Sequence, residues 1–512
     1  MRKKILLIII LLLLISSIFL INSIVMNQRE KTNQQGKSDS QLNLGDSKET
    51  EQDSQSQTQE QKPQMQIVQD SGEATYKDLF DPTLLHEFKI VITKDEWVGL
   101  SEDMLDIKRV DNSMRTGNYR RADLYYSDGN SEVILGEIGV RTKGNTSRVL
   151  PETEDGLHRF NFKLKFDETF EMDENSTQYE QRKDREMADV SELNFKAHTG
   201  TDPSNIREIF SYDVMNTFGI TAPKASLAVL TIVIDGVEHD FGVVRYMEEV
   251  DKSFFTKRLG KDNNDGNLYK CLWQNYGPAS LMPITDSKSI GIKDWEENYR
   301  PTYDRKTNEG EDNFEDLKEF IEQINKLEGE EFAAYLEEHF NIDQFLRVQA
   351  MDVMLGHIDG YRSMGNNYYL YFDEKGKVEW IPFDYDNILA GGWDGNPHWS
   401  YEGIATVDIM EWKNMNNELY QKETTHPLID KLLAIDKYRE IYLNYLNELS
   451  IPENNYVTYD RYLELYHKLY DIYGDKVDNE MKEGNLWELT NEEWYFSTKQ
   501  NSVKEQLSAF GY

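Results

Sequence analysis

The chain has 512 residues, with 93 Asp and Glu against 56 Lys and Arg, and a formal net charge of −37. An acidic balance of that size argues against nucleic acid and against docking on an anionic lipid face, and fits a basic protein substrate. With Cys271 as its one cysteine, the chain forms no intrachain disulfide and no cysteine metal cluster.

Arg2, Lys3 and Lys4 precede roughly twenty apolar residues within 1–26, a length that crosses a bilayer. No A-x-A-like site closes the segment. The basic end predicts a signal-anchor with its N-terminus in the cytoplasm and the body outside. A cleaved signal peptide is the alternative and exports the body all the same. Residues 27–75 are rich in Gln, Ser, Glu, Lys and Asp and predict a disordered linker. The body, 76–512, is long for one core. It reads as strand-rich in front and helix-rich behind, an α+β body of two lobes, about 76–275 and about 276–512.

In the front part HEFKIVI alternates as a strand, and a helix opens near Thr93. A hairpin turns at Asp128-Gly129. Its second strand runs into GVRTKGNT (139–146), where Asn145 stands at the lysine position of a P-loop and no convincing helix follows, which argues against a P-loop. Arg141 and Lys143 still make a cationic turn able to face a phosphate. Residues 159–166, RFNFKLKF, put Lys163 and Lys165 opposite Phe162, Leu164 and Phe166. A lysine on such a strand is what a kinase sets on nucleotide phosphates. Residues 170–190 read as a loop. A helix is predicted over 202–218, capped by Asp202 with Pro203 at its first position, burying Ile206, Ile209, Phe210, Val214 and Phe218 and ending at Gly219. Its Glu208 is placed to pair with the strand lysine, as a kinase helix does. A hairpin then ends on Glu248, Glu249 and Asp251. DNNDGN (262–267) has Lys261 where a calcium loop starts with an acid, and is discounted.

Residues 313–340 predict one or two amphipathic helices. Residues 342–389 predict a helix, a loop HIDGYRSMGNN and a hairpin of NYYLYF and VEWIPF ending on Asp384-Tyr385-Asp386. Folding the hairpin brings two polar clusters together. The order Asp359, Asn366-Asn367, strand, turn, strand, Asp384 is that of a kinase base, metal Asn and metal Asp. The spacing departs from it: a protein kinase has its Asn five positions after the Asp, where this chain has Met364. Residues 391–425, with Trp393, Trp399 and Trp412, read as a loop-rich insert, and 427–512 as helical.

In this order the blocks RTKGNTSR, FKLKFD, DPSNIREIFSYDVMNTFGITAPKA, YMEEVDKSFF, DGNLYK, HIDGYRSMGNNYYLY and WIPFDYD resemble the CotH kinase-like family, named for spore coat protein H, over about residues 86–510. The resemblance implies an atypical protein-kinase-like fold that uses ATP and Mg²⁺ to phosphorylate Ser/Thr of coat or surface proteins. It implies Asp359 as catalytic aspartate and Asp384 and Asn367 as metal ligands, with Asp386 a weaker candidate. It further implies Lys163 as the strand lysine and Glu248 as the acid before a hinge-like segment. The substrate would be a protein, a basic Ser/Thr-rich coat protein fitting best, and the place the spore or cell surface. The rival expectation is a membrane-tethered adhesion or coat-assembly protein with a degenerate nucleotide site.

Overall fold

The strands, in chain order, are β1 Glu87–Ile92, β2 Arg120–Ser127, β3 Glu132–Thr142, β4 Glu152–Thr153, β5 Gly156–Leu157, β6 Phe162–Lys165, β7 Glu192–Lys196, β8 Ala225–Ile234, β9 Val237–Glu248, β10 Asn267–Cys271, β11 Ile290–Gly291, β12 Tyr303–Arg305, β13 Tyr368–Phe372 and β14 Val378–Pro382. They come from a computed structural model that describes residues 74–111, 113–144, 147–197, 202–389, 400–412, 424–476 and 488–512. The described residues form one compact unit. The expected anchor, 1–26, and the linker, except for its last two residues, lie outside the described residues. Of those two, Ala74 is buried and Thr75 caps the short Tyr76–Leu79 helix. Among the described residues no helix is long and apolar enough to cross a membrane.

Seven strands close a barrel in the order β1-β2-β3-β6-β7-β9-β8, with β8 parallel to β1 and the other neighbours antiparallel. Alternation decides what fills it. Phe88, Ile90, Leu124, Phe162, Leu164, Leu193, Phe195 and Tyr246 point inward and are buried together. The intervening Lys163, Asn194 and Lys196 therefore lie on the outer face. The Lys94–Asp111 helix adds Trp97 and Leu100 to the barrel core, and Thr93 Oγ1 accepts the Glu96 N–H at 3.3 Å at its start.

The second sheet has the order β11-β12-β10-β13-β14. Its β10, on the N-terminal side of the boundary expected near 275, pairs with β13. The Ile342–Leu355 helix packs beneath the β13–β14 hairpin, with Phe345 against Trp380 at 4.8 Å between ring centroids. Gly356 ends that helix at φ 68°, where a Cβ would meet the Tyr495 hydroxyl at 2.2 Å. Helices Glu315–Lys326, Gly329–His339, Pro427–Ala434, Asp436–Ser450, Tyr459–Tyr473 and Glu492–Ser508 complete this larger core.

Three local expectations are corrected. The helix expected from residue 202 begins at Arg207; the Asp202 carboxylate accepts the Arg207 N–H at 2.9 Å and pairs with Arg245 at 2.6 Å, so it ends a turn before the helix. The loop expected over 170–190 contains a helix, Thr177–Arg182, capped by Ser176. Within the insert expected at 391–425, residues 400–412 hold the Tyr401–Ala405 helix and a buried Trp412, while Trp393 and Trp399 lie outside the described residues. Cys271 is buried in the core, as a lone cysteine in an apolar strand should be.

Candidate active site

The β13–β14 hairpin does what its sequence demands. Its register pairs Tyr368 with Pro382, so the residues just outside it, Asn367 and Phe383, meet, and the Phe383 N–H donates to the Asn367 carbonyl at 3.3 Å. Asp384 follows directly. Asn367 and Asp384 both adopt left-handed backbone, at φ 58° and 61°, a conformation that costs a side-chain-bearing residue about 1–3 kcal/mol and that the packed hairpin imposes.

Asp359 lies in the loop that enters this hairpin. Its two carboxylate oxygens accept from Asn366 Nδ2 and Asn367 Nδ2, each at 3.0 Å. Burial pushes its carboxyl up to about 6, against the hydrogen bond from Asn366. It is therefore a half-buried carboxylate with a proton affinity near that of a working general base. The two asparagines differ at their carbonyl ends. Asn366 Oδ1 accepts the Trp273 N–H at 2.8 Å. Asn367 Oδ1 has no hydrogen-bond partner among the described residues, which leaves it able to hold a cation.

The neighbouring His357 is buried against Tyr385, with ring centroids 3.9 Å apart, and its Nε2 lies 3.2 Å from the Asp384 carbonyl. Tyr385 in turn donates to Asp352. These contacts fix the Asp384-Tyr385-Asp386 turn beneath the barrel.

Here the barrel supplies a residue that sequence reasoning missed. Lys196, at the end of β7, places its ammonium 2.6 Å from Asp384 Oδ1, 3.0 Å from Asp386 Oδ2 and 2.8 Å from Glu208 Oε2. Its side chain is 7 % exposed and that of Glu208 fully buried, whereas Asp384 and Asp386 are open by about a third (34 % and 35 %). Tyr212, one turn after Glu208, donates to Glu208 Oε1 at 3.3 Å and accepts the Asp384 N–H at 3.0 Å. Burial alone would raise the Asp384 carboxyl, but the Lys196 ammonium outweighs it and brings the group down to about 2. Burial raises Glu208, and Lys196 opposes the rise. Burial also disfavours the charged lysine, yet the carboxylates hold Lys196 above the ordinary lysine range.

The pairing expected between Glu208 and Lys163 is thus corrected: Glu208 pairs with Lys196. Lys163 pairs instead with Glu192 at 2.5 Å and Glu249 at 2.9 Å. Glu248 is buried away from both lysines, accepting from Arg258 Nη2 and from the Tyr76 hydroxyl, each at 2.8 Å. Among the expected residues, Asp359 and Asn367 meet each other, and Glu208 and Asp384 meet through Lys196. Lys163 and Glu248 stand outside both groups.

Asp384, Asp386 and Glu208 each bring a carboxylate oxygen within 4.8 Å of the others. This donor set is all oxygen and suits a hard divalent cation such as Mg²⁺. Lys196 is now the counter-ion those carboxylates share.

Comparisons with known proteins agree with this picture at the level of family. The chain is similar to the inner spore coat protein H of Bacillus subtilis, 29 % identical over 188 residues that cover 36 % of this chain and 46 % of that protein. It is also similar to the invasin CotH2 of Rhizopus delemar, 23 % identical over 196 residues that cover 37 % of this chain and 30 % of that one. The matched region thus spans less than half the length of either relative. A solved structure, the proinflammatory kinase CtkA of Helicobacter pylori, matches 61 % of this chain and 91 % of that one at 11 % identity, with a TM-score of 0.22, too low to establish a shared fold. The family model described as CotH kinase protein matches residues 140–504, which include Lys196, Glu208, Asp359, Asn367 and Asp384, and the chain belongs to that family.

Proposed function

We propose that the chain is an atypical protein kinase that transfers the γ-phosphate of ATP to Ser/Thr hydroxyls of a protein substrate. The observation that carries this reading is the Lys196 ammonium bound at once to Glu208, Asp384 and Asp386. Protein kinases use a lysine fixed by a helix glutamate, set beside an aspartate that holds metal on the phosphates. The barrel and the sheet-and-helix part act as two lobes, with the nucleotide between them.

Each residue has a task in this reading. Glu208 and Tyr212 hold Lys196 in place. Lys196 turns from the aspartates to the nucleotide phosphates when these arrive. Asp384 and Asn367, with Asp386 beside them, would hold Mg²⁺, which neutralises charge on the phosphates. Asp359, steadied by two amides, orients the acceptor hydroxyl and takes its proton. Lys163 and Glu248 have structural tasks, closing the barrel seam and the connection after β9.

The relatives' names support a spore coat or a cell surface as the setting, and the basic, largely apolar segment 1–26 supports a membrane anchor with the body outside the cytoplasm. A basic coat or surface protein is the substrate class that the charge of the chain favours. Calorimetry with Mg²⁺ and ATP tests the site. Asp384→Asn should bind Mg²⁺–ATP at least about tenfold more weakly than the unaltered chain, since it removes a charged metal ligand. Equal affinity would remove Asp384 from the role given to it.

A further inference from the structure

Beside the Lys196 cluster lies a second group of cations that the roles above leave unused. Lys143, just after β3, donates to Asn194 Oδ1 at 2.7 Å and sits 5.9 Å from the ring centroid of Phe383. Lys270, on β10, sits 4.1 Å from the same centroid and 5.2 Å from that of Tyr369. Phe383 is the residue before Asp384, so barrel and sheet each deliver one ammonium to the aromatic floor beside the candidate metal ligands.

The lysines around them are neutralised. Lys163 has Glu192 and Glu249, Lys196 has three carboxylates, and Lys293 has Asp304 at 3.4 Å. Among the described residues, neither Lys143 nor Lys270 has a carboxylate within ion-pair distance. Glu249 is the acid that acts most on both, but it is engaged by Lys163, by Asn194 Nδ2 and by the Tyr369 hydroxyl. Burial pushes the Lys143 ammonium down to about 7 and that of Lys270 to about 8. Both lysines also help to lower Asp384. Two half-buried ammoniums without a paired carboxylate are costly unless something anionic joins them.

We infer that Lys143 and Lys270 form a polyphosphate pocket on the Phe383 ring, taking the phosphates of the nucleotide together with Lys196. This rests on the kinase reading for the nucleotide, but not for the anion. With Lys196 released from its aspartates by metal, three cations face one ligand, which suits the several charges of a polyphosphate and not a neutral base or sugar. The Asn194 amide fixes Lys143, and the aromatic floor holds Lys270 without neutralising it.

The test uses the full chain and three probes in calorimetry: ATP, inorganic tripolyphosphate and adenosine. Lys143→Gln and Lys270→Gln should each weaken ATP and tripolyphosphate binding by about tenfold or more, the effect of one charge-assisted contact, and leave adenosine unchanged. Lys143→Arg should retain the affinity within a few-fold, which separates charge from folding. Melting temperature without ligand should not fall in the Gln variants, because a half-buried cation without a carboxylate partner is removed. Variants that bind both anions like the unaltered chain would overturn the pocket, as would an unaltered chain that fails to bind tripolyphosphate. Tripolyphosphate binding that needs both lysines, with no ATP binding, would uphold the pocket and overturn the nucleotide reading.

Discussion

Lys163 and Lys196 rise from neighbouring strands of one barrel and share its outer face, since Lys163 pairs in register with Asn194, two residues before Lys196. Their surroundings differ. The partners of Lys163 come from the adjoining β7 and from the residue after β9, and the carboxylates are only 17 % and 10 % exposed. The partners of Lys196 come from a helix and from the far end of the β13–β14 hairpin, and two of the three are about a third open to solvent (34 % and 35 %). A lysine neutralised by its own sheet closes a seam. A lysine held by partly exposed carboxylates from distant segments is able to exchange them for a ligand. The difference separates a structural ion pair from a working one, although both read alike as a strand lysine.

The sharpest way to break the comparison lies across the hairpin. Asp359→Asn removes the proton acceptor and keeps one of the two amide contacts, since only its Oδ1 can accept, so phosphate transfer should fall by about 10²–10⁴-fold while Mg²⁺–ATP affinity holds. Phosphate incorporation and calorimetry on the same preparation check this. Because burial raises this carboxyl to about 6 from 3.8, it favours folding below the lower value and that contribution is lost as pH rises through about 6. Relative to the unaltered chain, the variant should therefore gain about 1–2 kcal/mol of stability between pH 4 and pH 8.

Exchanging each lysine for methionine sharpens the contrast itself. Lys196→Met should cost about 10²–10³-fold in transfer, the scale of one lost electrostatic contact to the reacting group. It should also gain stability on adding Mg²⁺, since the three carboxylates lose their internal cation. Lys163→Met should instead lose about 3–5 kcal/mol of stability by leaving Glu192 and Glu249 unpaired, with no recovery in Mg²⁺. Melting curves with and without the metal distinguish them. If Mg²⁺ rescues the Lys163 variant and not the Lys196 variant, the assignment is reversed.

Much of this was legible in the sequence, for definable reasons. The hairpin is written in aromatic strands around a DEKGK turn, and that pattern alone placed Asp359, Asn367 and Asp384 at one end. The inward residues of β6 were legible from the alternation of Phe162, Leu164 and Phe166. Lys196 was not, because β7 is only five residues long and lies between polar stretches. Its signal was the same alternation in miniature, Leu193 and Phe195 inward with Asn194 and Lys196 outward. The acid after β9 was missed by one position: Glu248 packs on Tyr76 and Arg258, and Glu249 is the one beside the lysines.

A pH profile gives a smaller effect. With Asp359 as base, transfer should drop about tenfold for each pH unit below about 6. That limb should vanish in the residual activity of Asp359→Asn; an unchanged limb would point to another group. The smallest effect belongs to Glu248→Gln. It should cost about 1–3 kcal/mol of stability by weakening its bonds to Arg258 and Tyr76, and leave transfer per folded molecule within about twofold.

Incorporation of the γ-phosphate of ATP decides most directly. The unaltered chain, given Mg²⁺ and a basic Ser/Thr-rich protein acceptor, should place acid-stable phosphate on hydroxyl side chains of the acceptor or of itself. Chelation of the metal, or Asp384→Asn, should abolish it. Bound Mg²⁺–ATP with no phosphate transferred to any acceptor, at a level indistinguishable from Asp359→Asn, would contradict catalysis and leave a nucleotide-binding surface protein in its place.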